Sequence, residues 1–277
     1  MIKDFILKTS KGNQLQVSTF VNEMQYNGNA IIFAHGFKGF KDWGFGPYLG
    51  NFFANGGFIV VTFNFSHNGI GINKTEFTEL EKFADNTFTL EVSELDEIID
   101  FLKTGHLEIE FNGKVGLLGH SRGGAISLLT ASKRIDINGV ALWASISKLD
   151  RYSERQKVIW RKNGYFEILN TRTNQQMRLN VSLLDDIEKN ANGSLNLEKS
   201  VRNLGCPLLI AHGDQDLAVP IAEAEQIYDW ADKSKTEFYK IFGTGHTFDI
   251  IHPFNGTNEK FEKLLKKTSE FFQRNLT

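Results

Sequence analysis

The stretch Val115-Gly116-Leu117-Leu118-Gly119-His120-Ser121-Arg122-Gly123-Gly124-Ala125-Ile126-Ser127-Leu128-Leu129-Thr130-Ala131-Ser132-Lys133 decides how this chain is built. Its opening apolar run has the character of a strand buried on both faces, and residues 122–133 read as a helix of small residues. Between them lies Gly119-x-Ser121-x-Gly123, a G-x-S-x-G pattern in a strand–turn–helix context. The glycines permit a sharp, strained turn that lifts the serine hydroxyl above the sheet. The same turn places the amide of Arg122 at a helix N-terminus, where its N–H can stabilise an oxyanion. Without its flanks the pattern would say little, because glycine and serine are common.

Outward from this turn, residues 30–34, 58–65, 139–144, 207–211 and 238–241 read as further buried strands. Helical spacing marks residues 46–55, 87–102, 221–230 and 259–274, and residues 5–9 and 15–20 form a hairpin about Lys11-Gly12-Asn13. Strand and helix alternate, so the chain is expected to be an α/β protein with a mainly parallel central sheet flanked by helices. In the 87–102 helix the apolar positions are Leu90, Val92, Leu95, Ile98, Ile99 and Leu102, with Glu91, Glu94, Asp96 and Glu97 expected on the surface. Residues 76–100 hold nine acids and one lysine, which reads as a solvated face. Residues 148–205 are too long for a simple connection and carry Trp160, Tyr165, Phe166 and Leu183 to bury. They read as a small inserted lid, with a helical segment at 150–162 and a hairpin of 165–169 with 176–179. The core is then 1–147 with 206–277.

The chain has 277 residues, with 31 basic and 33 acidic side chains and a net charge of −2. That balance gives no support to broad nucleic-acid or anionic-membrane binding. One cysteine, Cys206, cannot form an internal disulfide. No apolar run approaches a membrane span, and Asp4, Lys8 and Lys11 interrupt what a secretory leader would need unbroken. The expectation is a cytoplasmic enzyme acting on a small molecule, with no cofactor.

An ordinary serine hydroxyl is a poor nucleophile and needs a base oriented by an acid. His246 lies in Gly243-Thr244-Gly245-His246-Thr247-Phe248, after the last strand, and Asp216 lies in His212-Gly213-Asp214-Gln215-Asp216, after the strand before it. Both loops follow strand C-terminal ends, where open α/β sheets carry their active sites.

With the segments HGFKG, GHSRGG, HGDQDLAVP and GTGHTF in this order, the chain from residue 30 to 272 resembles the α/β-hydrolases. The resemblance implies Ser121 as nucleophile, Asp216 as acid, His246 as base, and the amides of Phe37 and Arg122 as an oxyanion hole. Within that superfamily the chain is similar to bacterial feruloyl-esterase and dienelactone-hydrolase-like esterases. A carboxylic ester with a short or aromatic acyl group is the implied substrate. A prolyl-oligopeptidase-like peptidase or amidase is the alternative, and a non-catalytic binding protein a third reading. The family's D-x-R-G-H-G pattern is replaced here by Asn64-Phe65-Ser66-His67-Asn68-Gly69.

His35, His67, Trp143 and Trp160 are expected to line the substrate pocket, with loop-holding or core roles as their plainer readings. Asp214 is the rival acid, but the family spacing lands on Asp216, leaving Asp214 to order its loop. His120 and His252 read as structural, His106 as surface, and Asp249 follows the base in place of preceding it. No H-e-x-x-H and no cysteine cluster is present, so no metal site is expected. Residues 148–178 hold eight basic and three acidic side chains, read chiefly as solvated faces and otherwise as an attraction for an acidic acyl group.

Overall fold

The computed structural model describes residues 1–71 and 73–276. Ten strands are formed: β1 (Ile2–Lys8), β2 (Gln14–Phe20), β3 (Ala30–Ala34), β4 (Ile59–Asn64), β5 (Val115–His120), β6 (Ile137–Trp143), β7 (Tyr165–Asn170), β8 (Gln175–Asn180), β9 (Leu208–Gly213) and β10 (Thr236–Ile241). Eight of them make one sheet in the order β1-β2-β4-β3-β5-β6-β9-β10. The first two pair antiparallel, β2 runs antiparallel to β4, and from β4 onward every pairing is parallel. Strands β3, β4, β5 and β9 are buried at every position, as a sheet covered on both faces requires.

The helices are α1 (Gly46–Asn55), α2 (Leu80–Ala84), α3 (Phe88–Lys103), α4 (Arg122–Ala131), α5 (Glu154–Asn163), α6 (Val181–Asn190), α7 (Leu197–Arg202), α8 (Ile221–Trp230) and α9 (Glu259–Asn275). Helices α1 and α9 pack against each other and on one side of the sheet, and α3, α4, α7 and α8 form a second contiguous layer. Thr87 caps α3 by accepting the Leu90 amide at 3.2 Å, and Asn258 caps α9 through the Phe261 amide at 3.0 Å.

The expected solvated acidic face is corrected at two positions. Glu91 and Glu94 are buried, at 4% and 1% exposure. They stand four residues before Leu95 and Ile98, so the helical repeat carries both onto the apolar stripe. Each is held by specific partners described below.

Between β6 and β9 the chain forms α5, the antiparallel pair β7–β8, α6 and α7. A capping box at Ser153 and Gln156 starts α5 three residues inside the expected segment, and Gly164 in the left-handed region ends it. Trp160 is fully buried here between Tyr152 and Phe166. The hairpin reaches the sheet domain through Gln175, whose side chain donates to the Phe77 carbonyl at 3.0 Å, and Asn180, which donates to Asp85 at 2.6 Å. No described helix is long and apolar enough to cross a membrane.

Candidate active site

Ser121 sits between β5 and α4 with φ +55° and ψ −120°, a strained conformation for a residue with a side chain. The turn closes this tightly because a Cβ on Gly119 would stand 2.4 Å from the Gly123 carbonyl, and one on Gly123 2.1 Å from the Ala34 carbonyl. The Ser121 amide donates to the Trp143 carbonyl at 2.8 Å, tying the turn to the end of β6.

His246 and Asp216 come to this serine from the ends of β10 and β9. His246 Nε2 lies 3.0 Å from Ser121 Oγ, and His246 Nδ1 lies 2.7 Å from Asp216 Oδ2. An ionised carboxylate only accepts, so Nδ1 carries the proton and Nε2 is left to accept from the serine hydroxyl. Asp216 is 5% exposed, and burial alone would raise its pKa. Hydrogen bonds from His212 and His246 outweigh that penalty and hold the carboxyl below the usual range. Its Oδ1 accepts the amides of Ala218 and Val219, both at 2.9 Å. Asp214 instead accepts the Gly243 amide at 2.7 Å and orders the β10 loop.

The histidine loop is anchored from behind by aromatic packing. Phe248 is fully buried, with its ring 5.9 Å from Trp143 and 6.5 Å from Phe261. Aromatic pairs of this kind add about 0.5–1.5 kcal/mol each beyond their buried area. His120 donates from Nε2 to the His246 carbonyl at 2.9 Å, and burial drives its pKa down to about 3. It stays neutral and does not compete as a base.

The Phe37 amide is brought beside Ser121 by a close backbone approach at the preceding residue. A Cβ on Gly36 would lie 2.9 Å from Ser121 Cβ and 3.1 Å from the His120 carbonyl. Among the described residues neither the Phe37 amide nor that of Arg122 donates to a protein acceptor. Both residues line a cavity of about 330 Å³ that also contains Ser121 and His246. Its other walls include Trp43, Phe88, Ile146, Leu149, Tyr152 and Val219.

The four expected pocket residues are corrected: none lines this cavity. His35 is buried behind the Phe37 loop, where Nδ1 donates to the Gly36 carbonyl at 2.9 Å and Nε2 accepts the Phe65 amide at 3.3 Å. Burial lowers its pKa to about 4. His67 lies on the substituted 64–69 loop, 2.6 Å from Ser66 Oγ. Trp143 points into the aromatic core and donates to Thr268 at 3.0 Å. Trp160 is the core of the 148–205 segment. Each is placed by packing with residues distant in sequence, which local pattern does not report. His252 accepts the Gly44 amide at 3.0 Å and stacks on Trp43.

Residues that sequence reading missed include Glu91, which pairs with Arg122, and Arg172, whose guanidinium lies 4.7 Å over the Trp43 ring. The apolar stripe of α3 carried a signal for the first. Arg172 is one of several arginines in a basic segment and carried none. Among the described residues no group of three or more His, Cys, Asp or Glu side chains could hold a metal.

The sequence profile of the prolyl oligopeptidase family matches residues 51–277. No curated protein matches the chain significantly. Among solved structures, Est1E from Butyrivibrio proteoclasticus with ferulic acid bound superposes with a TM-score of 0.72 at 18% identity, covering 96% of this chain and 97% of that one. The esterase domain of a Rhodothermus marinus protein gives 0.67 at 19%, covering 99% and 98%. Dienelactone hydrolase from Anabaena variabilis gives 0.65 at 16%, covering 100% and 99%. Likenesses at such identities establish the fold, and the chain has the α/β-hydrolase fold.

Proposed function

The chain belongs to the prolyl oligopeptidase family; from that premise we propose that it is a serine hydrolase, and from its cavity and fold likenesses that it cleaves small carboxylic esters. The observation that carries this reading is the hydrogen-bonded chain from Ser121 through His246 to Asp216, opening on a cavity that Ser121 and His246 both line. Ser121 Oγ attacks the ester carbonyl as His246 Nε2 takes its proton, and Asp216 stabilises the imidazolium. The amides of Phe37 and Arg122 receive the oxyanion, each donor contributing roughly 3 kcal/mol in the transition state. His246 returns the proton to the departing alcohol, leaving an acyl-serine. Water, deprotonated by the same histidine, then releases the acid. Residues 148–205 serve as the lid, contributing Leu149, Arg151, Tyr152 and Arg172 to the cavity wall.

A small ester is favoured over a polypeptide by the cavity's volume, about 330 Å³, near the lower end for small-molecule sites. Likeness in fold to an esterase domain and to a protein holding ferulic acid supports the same reading. The family's name favours a second one, cleavage of an amide or peptide bond by the same triad.

A p-nitrophenyl ester chain-length series with methyl ferulate, set against a dipeptide p-nitroanilide, separates the two. Wild type is expected to prefer esters, and Ser121→Ala to lose turnover of all of them while folding normally. Preference for the anilide would replace the esterase reading. An active Ser121→Ala protein would remove Ser121 as the nucleophile.

A further inference from the structure

The cavity in front of Ser121 is lined by four cationic side chains, Lys38, Arg122, Arg151 and Arg172, and among the described residues by no aspartate or glutamate. Arg151 is neutralised at its back, donating from Nη1 to both oxygens of the buried Glu223 at 2.6 and 2.7 Å. Arg122 is neutralised in part. Its Nε donates to Glu91 at 2.7 Å and its guanidinium is pinned 3.9 Å over the Phe88 ring. Its Nη2, on a residue only 5% exposed, has no hydrogen-bond partner in the protein. That nitrogen is closed off from solvent, with the guanidinium lying between the Phe88 and Phe37 rings, so Arg122 contributes its charge to the cavity wall and not a free donor.

Lys38 and Arg172 have no carboxylate within ion-pair distance among the described residues. Arg172 donates to the Lys38 carbonyl and Lys38 to the Leu169 carbonyl, both at a long 3.4 Å. Their remaining contacts are aromatic faces, Trp43 under Arg172 and Phe37 beside Lys38. Burial, then the charge of Arg172, holds the Lys38 ammonium below its ordinary pKa. Two like charges brought together without a counter-ion are stabilised by an anion between them.

We propose that Lys38 and Arg172, with the part-neutralised charge of Arg122 also on the cavity wall, form an anion subsite beside the nucleophile, so that the preferred substrate is an ester bearing a second, ionised carboxylate. Guanidinium groups bind carboxylates through paired charge-assisted hydrogen bonds, and an uncharged ester of equal length forgoes them. The subsite deepens the esterase reading and rests on it for its place in catalysis. One of its two members, Arg172, comes from the turn of the β7–β8 hairpin, so substrate charge and hairpin position are linked.

Two matched pairs test it: mono-p-nitrophenyl adipate against its methyl-capped diester, and 4-acetoxybenzoate against its methyl ester. They place the carboxylate on the acyl and on the leaving side respectively. In wild type the anionic member of at least one pair is expected to show kcat/KM about tenfold or more above the neutral member. Arg172→Gln combined with Lys38→Gln should bring that ratio to near one. A wild-type ratio at or below one in both pairs, or a ratio that the double variant leaves unchanged, overturns the subsite while leaving the esterase reading intact. If folded wild type cleaves no ester, that reading fails, and calorimetric titration of Ser121→Ala with adipate decides the subsite. Binding weakened at least tenfold by Arg172→Gln supports it, and absence of binding overturns it.

Discussion

Glu91 on α3 holds Arg122 Nε at 2.7 Å, and the side chains of both are 6% exposed. The pair joins the helix layer to the residue directly after Ser121, whose own amide faces the reacting carbonyl in the proposed mechanism. Glu91 also accepts from Asn86 Nδ2 at 2.7 Å. Its carboxyl is pushed up by burial, against the opposing pull of Arg122 and Asn86.

Glu91→Ala leaves the Arg122 guanidinium buried without its counter-charge. Removing one partner of a buried pair costs about 3–5 kcal/mol, whereas replacing both by apolar side chains costs far less. Urea unfolding is expected to show a loss of that size for Glu91→Ala and recovery of most of it in Glu91→Leu with Arg122→Met. Equal losses in the two proteins would mean that the pair contributes chiefly through shape.

Asp216→Asn removes the acceptor that fixes the proton on His246 Nδ1. Turnover should fall roughly 10⁴-fold, as expected when the wrong tautomer faces the serine. Circular dichroism should be unchanged and KM altered little. The check is steady-state kinetics on the best p-nitrophenyl ester, and a loss under tenfold would point to Asp214 as a substitute acid.

Gly36→Ala adds a methyl 2.9 Å from Ser121 Cβ, so the loop carrying the Phe37 amide has to retreat. The expected result is a fall in kcat of roughly 10²–10³, the worth of one oxyanion donor, with KM nearly constant. A rise in KM at constant kcat would show instead that the loop acts in ground-state binding.

Glu94 supplies a pH dependence. Burial raises its carboxyl from 4.5 to about 7, although it accepts the Ser66 amide at 2.9 Å and the Ser66 hydroxyl. Between those two values the folded protein holds a proton that the unfolded chain has lost. Stability therefore falls as pH rises through that window, by at most about 3 kcal/mol at 1.36 kcal/mol per unit. Glu94→Gln should flatten this slope and be relatively more stable above pH 7 than below 4.5. Parallel slopes for the two proteins in urea titrations from pH 4 to 8 would assign the effect elsewhere.

The legible parts of the site were those whose constraint is local. Gly119, Gly123 and the flanking apolar run announce a turn that only small residues can make, and Ser121 is found there in the strained conformation the turn demands. Glu91 and Glu94 were legible in principle, since the α3 repeat carries both onto its apolar stripe. Counting only apolar side chains along the repeat, and the acids around it, puts them on a solvated face. Trp143 and Trp160 were beyond reach, because an aromatic side chain near a strand end or in an insertion serves a pocket wall or a core equally well. Which it serves depends on Phe45, Phe248 and Phe261 in one case and on Tyr152 and Phe166 in the other.

From sequence alone came the α/β architecture and the serine turn, because backbone sterics and strand and helix periodicity act between near neighbours, while the choice of Asp216 and His246 came from the resemblance to the α/β-hydrolases. Only the tertiary structure decided the lining of the cavity and its charge. Arg172 meets Lys38 across 134 positions of chain, and Arg122 meets Glu91 across 31. Whether a cation is neutralised or left facing a substrate depends on which carboxylates the folded layers bring within a few ångströms, and Coulomb attraction on that scale has no image in the linear order.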